Sequence, residues 1–128
     1  MIQAKEIPLF KDLIQYETGE IIYDFHNDYD CIKICLENKT LTFTYKNHSN
    51  NSVLLMKFAE VEIDRFEFLN ESDNQPLILD NFYRGRFEKD NELLEFSNDG
   101  KACFYVEFGE DVEFQFLSTG FFIDSLQK

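Results

Sequence analysis

The chain alternates between apolar and polar residues over most of its length. In two neighbouring runs every second position is apolar: Ile32, Ile34 and Leu36 in the first, then Leu41, Phe43 and Tyr45 in the second. A period of two is typical of antiparallel strands that bury one face and expose the other. Asn38-Lys39 between the runs has the length of a two-residue turn, and asparagine tolerates a positive φ. The pattern therefore predicts a β-hairpin.

The same alternation continues with changes of parity. Apolar positions are even from Leu54, odd from Val61 and even again from Phe66. Each change predicts a turn or a bulge, because a shift of one residue turns every side chain to the other face. Further strands are predicted at 77–79, 94–96, 104–108 and 112–116, with a hairpin at Asp99-Gly100 between the second and third of these. After Gly120, residues 121–126 predict a last strand or a short terminal turn.

One segment near the N-terminus favours a helix. Proline is tolerated in the first turn of a helix, and apolar residues then follow at helical spacing. Thr18-Gly19 would end this helix. The residues that carry the pattern are Pro8, Phe10, Leu13 and Ile14.

These elements predict a mainly β protein: an antiparallel meander of eight or nine strands, with one short N-terminal helix. A twisted sheet folded on itself, as a sandwich or a partly open barrel, would cover the apolar faces. The 128 residues correspond to a single domain, 1–128, that is long enough to bury its own core. The 15 phenylalanines fall largely on the inward parity and specify that core.

Charge restricts the functions that remain. With 25 acidic against 12 basic residues, the net charge is −13. This argues against binding to nucleic acid or to anionic membranes, since both need basic residues at the surface. The first residues lack a basic segment followed by an apolar one, and three cysteines are best read as reduced thiols. We therefore expect a cytoplasmic protein.

The acids concentrate in two predicted strand regions. One reading is that they solubilise a phenylalanine-rich β protein. The functional alternative is a negative docking face that steers a basic protein into contact. The candidate residues are Glu60, Glu62, Asp64 and Glu67 in the first region, and Glu107, Glu110, Asp111 and Glu113 in the second.

Other candidate chemistry is sparse. Asp24, His26, Asp28 and Asp30 share one parity and, if extended, would offer a carboxylate and imidazole cluster to a divalent cation; a solvated strand end and turn is the simpler reading. Arg84-Gly85-Arg86 would bind an anion or form local ion pairs. No phosphate-binding loop, nucleophile elbow or zinc spacing occurs, so we expect no enzyme, no metal and no cofactor.

The first half of the chain resembles small β-rich bacterial families whose first strand carries Ser-Phe-His-Asp. The resemblance covers about residues 20–68, with Asp24 in place of the serine and Asn27 between His26 and Asp28. Several of these families are classed as immunity proteins of polymorphic toxin systems. The resemblance implies that Phe25, His26 and Asp28 are structural motif positions, and that His26 and Asp28 brace a turn. It rests on residues 24–28, 32–34, 41–43 and 55–58, together with Val61 and Ile63.

We therefore expect a non-catalytic protein-binding module, immunity-like, that neutralises a basic toxin-like partner through an acidic β surface. A small-molecule carrier with phenylalanines at the mouth of a barrel is the alternative. The protein would be a monomer or a homodimer, since an uncovered edge strand can pair two chains.

Overall fold

A computed structural model describes residues 1–68, 77–109 and 112–126, with the backbone alone at 64–68 and 126. The protein is mainly β, as the alternation predicts. The strands of the described residues are β1 (Ile2–Gln3), β2 (Gln15–Thr18), β3 (Ile21–Asp24), β4 (Tyr29–Glu37), β5 (Thr40–Asn47), β6 (Val53–Ala59), β7 (Glu62–Phe68), β8 (Leu79–Gly85), β9 (Phe87–Lys89), β10 (Glu92–Leu94), β11 (Ala102–Phe108), β12 (Val112–Ser118) and β13 (Gly120–Leu126).

These strands form two main antiparallel sheets and do not close into a barrel. The first sheet has the order β1-β13-β6-β5-β4, and the second has the order β7-β12-β11-β8. Two separate hairpins, β2-β3 and β9-β10, accompany them. The predicted meander is only partly correct: β13 lies beside β6, and β12 lies beside β7, although each pair is distant in sequence.

The chain crosses between the sheets at two adjacent corners. Glu60, with a φ of 54°, separates β6 from β7, and Thr119 separates β12 from β13. The Ser118 hydroxyl ties the corners together, since it donates to the Ala59 carbonyl at 2.6 Å. Because both crossings occur side by side, β6 pairs with β13 in one sheet while β7 pairs with β12 in the other.

Aromatic rings fill the space between the sheets. Phe43 of β5 lies 5.4 Å from Phe108 and 5.5 Å from Phe114, measured between ring centroids. Phe58 of β6 lies 4.8 Å from Phe116 and 5.2 Å from Phe104. All six rings are buried. The inward parity of the phenylalanines is thus confirmed at these positions, and their edge-to-face contacts add to the burial of apolar area.

The turn and bulge predictions in the first half of the chain are confirmed. Asn38 and Lys39 have φ angles of 49° and 63°, which is the geometry of a two-residue hairpin turn. The parity change before Val61 is the corner between the sheets. The change before Phe66 is a bulge, because the register of β7 against β12 shifts between Ile63 and Arg65.

The predicted helix is wrong in position. The described residues contain one helical turn, a 3-10 turn at Ala4–Glu6, while residues 8–14 are extended or turned along the edge of β8. Phe10 N–H donates to the Arg84 carbonyl and Leu13 N–H donates to the Phe82 carbonyl. These tertiary bonds satisfy donors that a helix would have used, so the helical spacing was overridden by pairing with β8.

The hairpin predicted at Asp99-Gly100 is also wrong. β11 pairs with β8 and β12, whereas β10 pairs with β9. The turn of that short hairpin is Asp90-Asn91, with φ angles of 52° and 65°. Short paired segments of two to four residues raise the number of strands above the predicted eight or nine.

Candidate functional site

The most distinctive surface is the outer face of the second sheet. Glu107 of β11 lies directly opposite Glu113 of β12, and Glu113 lies directly opposite Glu67 of β7. On the other side, the Asn81 amide donates to the Glu107 carboxylate at 3.0 Å. Cross-strand neighbours on one face are about 5 Å apart, so the three glutamate positions form a continuous row. We call Glu67, Glu107 and Glu113 the acidic row.

A pair of tyrosines lies beside this row. Tyr83 and Tyr105 are opposite each other and stack with 5.0 Å between ring centroids and 8° between planes. The Tyr105 hydroxyl donates to the Arg86 carbonyl and accepts from the Gln115 amide, which fixes the ring. Burial, and then the negative charge of Glu107, raises the pKa of Tyr83. The tyrosines and the acidic row therefore belong to one electrostatic environment.

Gly85 makes room for the stacked rings. A Cβ at this position would lie 2.7 Å from the nearest ring carbon of Tyr105. Phe10, which is exposed, extends the aromatic surface, since its ring lies 6.3 Å from that of Tyr83 and the Arg86 guanidinium lies 5.6 Å from its centroid. Exposed aromatic side chains are enriched at surfaces that bind proteins, so the stacked tyrosines mark this face as a candidate interface.

The eight acidic candidates are only partly brought together. Glu62 lies opposite Leu117, four residues along β12 from Glu113 and thus about 13 Å away. Its carboxylate accepts a hydrogen bond from Lys101 at 2.8 Å, which raises the pKa of that lysine. Glu60 is exposed at the corner before β7. Asp64 is described by its backbone in β7, while Glu110 and Asp111 lie outside the described residues.

The four residues proposed as a cation cluster do not form one. β3 ends at Asp24, and residues 25–28 form a turn, so the shared parity does not produce a shared face. His26 Nδ1 lies 2.8 Å from the Leu79 carbonyl and 3.2 Å from Asp80, whereas Asp30 pairs with His48 at 2.8 Å. Among residues 1–68, 77–109 and 112–126, no group of three or more His, Cys, Asp or Glu side chains is placed to hold a metal ion.

The positions of the Phe-His-Asp motif have separate surroundings. Phe25 is fully buried and stacks on Tyr23, with 5.9 Å between centroids. The backbone N–H of Asp28 donates to the Asp24 carbonyl within the turn. Although burial acts in the opposite direction, hydrogen bonds from Asn27 lower the pKa of Asp24.

An open cleft adjoins the turn, and the sequence did not predict it. Its volume is about 420 Å³, and residues far apart in the chain line it: Asp12, Ile14, Gln15, Asp24, His26, Asn27 and Asp80. Six of these seven residues have polar side chains, and none is a phenylalanine, unlike the phenylalanine-lined mouth expected for a carrier. Asp12 and Asp80 reach it because the N-terminal segment runs along β8.

The remaining candidates are structural. Arg84 is buried; it donates to the Ile7 carbonyl at 3.2 Å and to Glu95 at 3.1 Å, and it lies over the Phe96 ring. It therefore holds chain segments together and is not presented to an anion. Cys31 is buried, and burial raises its pKa to about 12. The bulge after Cys31 places it on the inner face, opposite Tyr45 of β5.

Comparison with known proteins adds no family. No protein-family model matches the chain, and no curated protein was found to match it. In the described part of the chain, no helix combines the length and the apolar character needed to span a membrane. The fold and the surface define the class as an antiparallel β protein with an acidic, tyrosine-bearing outer face.

Proposed function

We propose that this chain is a non-catalytic bacterial protein-binding module, immunity-like, that docks a basic protein on the outer face of its second sheet. The acidic row carries this proposal. Like charges directly opposite each other destabilise a sheet, so the row is a feature that the fold alone does not favour. A lysine or arginine from a partner would offset the repulsion, and that gain is available only in the complex.

The stacked tyrosines add a rigid aromatic contact surface beside the charged acidic row. Tyr83 and Tyr105 are stacked, so little side-chain entropy remains to be lost when a partner binds. An arginine that approaches the row can also lie over an aromatic face. A basic toxin-like enzyme fits this surface, and covering its active site would neutralise it in the cytoplasm without any chemistry by this protein.

The test is capture from the source cell with matched variants. Tagged wild-type protein, the double variant Glu107→Gln/Glu113→Gln and the control Glu88→Gln/Glu92→Gln are used as baits at low salt. The control removes the same charge from exposed positions on the β9-β10 hairpin. We expect a basic protein to be retained by the wild type and the control and lost by the double variant.

The captured protein is then purified and titrated with each bait. The double variant is expected to bind at least tenfold more weakly, mainly through slower association, and the difference should shrink as salt is raised. Co-expression should suppress the partner's toxicity for the wild type and the control alone. A partner that binds all three baits equally, or that is not basic, would overturn the proposal.

The carrier alternative rests on the open cleft beside His26. Native mass spectrometry of the purified protein tests it, because a carrier retains a small molecule that Asp80→Asn would release. A spectrum that contains the bare chain alone, with or without that substitution, would eliminate the carrier.

A further inference from the structure

Among the described residues, β4 is the last strand of the first sheet, and part of its outer side has no partner. β4 pairs with β5 on one side, and on its other side Cys31 exchanges backbone hydrogen bonds with Leu77 at 2.8 and 3.2 Å. From Lys33 to Glu37 no described residue bonds to that side. Leu36 is 52% exposed although it shares the inward parity of the sheet. Within the described part of the chain, β4 therefore presents both unpaired backbone groups and apolar side chains at this edge.

The hairpin turn determines which backbone groups face outward. Asn38-Lys39 is a two-residue turn, so Glu37 and Thr40 form the hydrogen-bonded pair that closes it. Hydrogen-bonded and non-hydrogen-bonded pairs alternate along antiparallel strands. Cys35 therefore directs its N–H and C=O toward β5, whereas Ile34 and Leu36 direct theirs to the open side.

This edge is complementary to itself. If a second copy pairs with it antiparallel and centred on Cys35, Lys33 lies opposite Glu37 of the second copy and Glu37 lies opposite its Lys33. Ile34 likewise lies opposite Leu36 of the second copy, and Leu36 lies opposite its Ile34. Two charge pairs and two apolar pairs form on separate faces, and the outward N–H and C=O groups of Ile34 and Leu36 meet as hydrogen-bonded pairs.

Local charge permits the approach. The chain as a whole carries −13, which opposes self-association, but residues 29–47 contain three lysines against two acids. The acidic row lies on the other sheet. The β4-β5 hairpin is thus a segment where two copies can meet without strong repulsion.

We propose that two copies of this chain pair through the open edges of β4, antiparallel and centred on Cys35, which joins their first sheets into one continuous sheet. The dimer leaves the acidic row exposed on both copies. It is consequently independent of the proposed docking of a basic protein.

Charge exchange tests the pairing by sedimentation velocity over a range of concentrations. Lys33→Glu and Glu37→Lys each place like charges opposite one another twice, and each is expected to weaken the dimer about tenfold. The double variant Lys33→Glu/Glu37→Lys restores opposite charges and should restore the dimer. A wild type that stays monomeric, or single variants that dimerise unchanged, would overturn the proposal. Glu107→Gln/Glu113→Gln should dimerise like the wild type, which separates this result from the fate of the docking proposal.

Cross-linking through Cys35 tests the proposed register between the two copies of β4. Cys35 would form a non-hydrogen-bonded pair with Cys35 of the second copy, with Cα atoms about 4.5 Å apart, which a disulfide can bridge. Diamide takes up the two protons and two electrons that the two thiols lose, and becomes the hydrazine. We expect a covalent dimer from the wild type and from Cys103→Ser, and none from Cys35→Ser. A dimer in sedimentation that diamide does not cross-link would contradict the proposed register.

Discussion

The two sheets bury similar inner faces but differ at their edges and outer faces. The edge strand β8 of the second sheet is covered by hydrogen bonds from residues 10–13, and β1 covers one end of β13 in the first sheet. β4 of the first sheet is left open between Lys33 and Glu37 by the described residues. The outer face of the second sheet carries the acidic row, whereas on the first sheet Lys57 and Asp124 form an ion pair at 3.6 Å. The fold is thus maintained by the shared interior, and the differences between the sheets are where binding is expected.

A substitution at Gly120, where β1 covers β13, is expected to give the largest change in the free energy of unfolding. Gly120 has a φ of 153°, and a Cβ there would lie 2.2 Å from the Ile2 carbonyl oxygen. Gly120→Ala must displace β1 from β13, and we expect a loss of about 3 kcal/mol in the free energy of unfolding, measured by denaturant titration. Gly19→Ala is the control, because Gly19 has a φ of 59° with open space around it and should cost only about 1 kcal/mol. Equal losses for the two variants would contradict the role of close approach at the covered edge.

The interior beside the first sheet contains the buried Tyr45 hydroxyl, which gives the next prediction. Tyr45 of the first sheet is fully buried, and its hydroxyl has no hydrogen-bond partner among the described residues. Tyr45→Phe removes an unsatisfied polar group and should raise the free energy of unfolding by about 1 kcal/mol. Tyr105→Phe on the second sheet is the matched control. It removes a hydroxyl that is hydrogen-bonded to Arg86 and Gln115, so it should lower stability.

The same residue predicts a dependence on pH. Burial raises the pKa of Tyr45 well above its ordinary value of 10.0. The unfolded chain therefore loses this proton near pH 10, while the folded chain retains it. The contribution of this group to the free energy of unfolding is fully present below that pH and is lost progressively as the pH rises further. The advantage of Tyr45→Phe over the wild type should grow above pH 10. A constant difference across that range would mean that the folded tyrosine ionises as readily as the unfolded one.

The alternation along the chain predicted the features that depend on neighbouring residues alone, namely turns and bulges. The hairpin at Asn38-Lys39 and the bulge before Phe66 follow from spacing within a few residues, and both are present. The segment around Leu13 has helical spacing, yet it lies along β8 because that edge offers hydrogen bonds from a strand 70 residues away. Such competition with a distant edge leaves no signal in a local window.

The candidate site follows the same division. Glu107 and Glu113 alternate with the apolar residues of their predicted strands, but the register of three strands was needed to align them with Glu67. Tyr105 also has outward parity, because it alternates with Phe104 and Val106. Tyr83 shares the odd parity of Leu77 and Leu79, so the alternation does not predict that it faces outward. The cleft beside His26 could not be predicted, since Asp12 and Asp80 reach it only through the tertiary path of the N-terminal segment.

A substitution on the outer face of the second sheet is expected to have the smallest effect on the free energy of unfolding. It is also the prediction most directly related to the proposed function. Glu113 is the middle position of the acidic row, so Glu113→Gln removes the charge that lies opposite Glu107 and opposite position 67. We expect the free energy of unfolding to rise by about 0.5 kcal/mol at low salt, and the gain to vanish near 1 M salt, where charges are screened within about 3 Å. Glu88→Gln is the control, because Glu88 lies opposite Leu93 and should change stability little. A loss of stability in Glu113→Gln at low salt would show that the row supports the fold. A gain together with weaker binding to the basic partner would show that the second sheet retains an unfavourable arrangement for the sake of recognition.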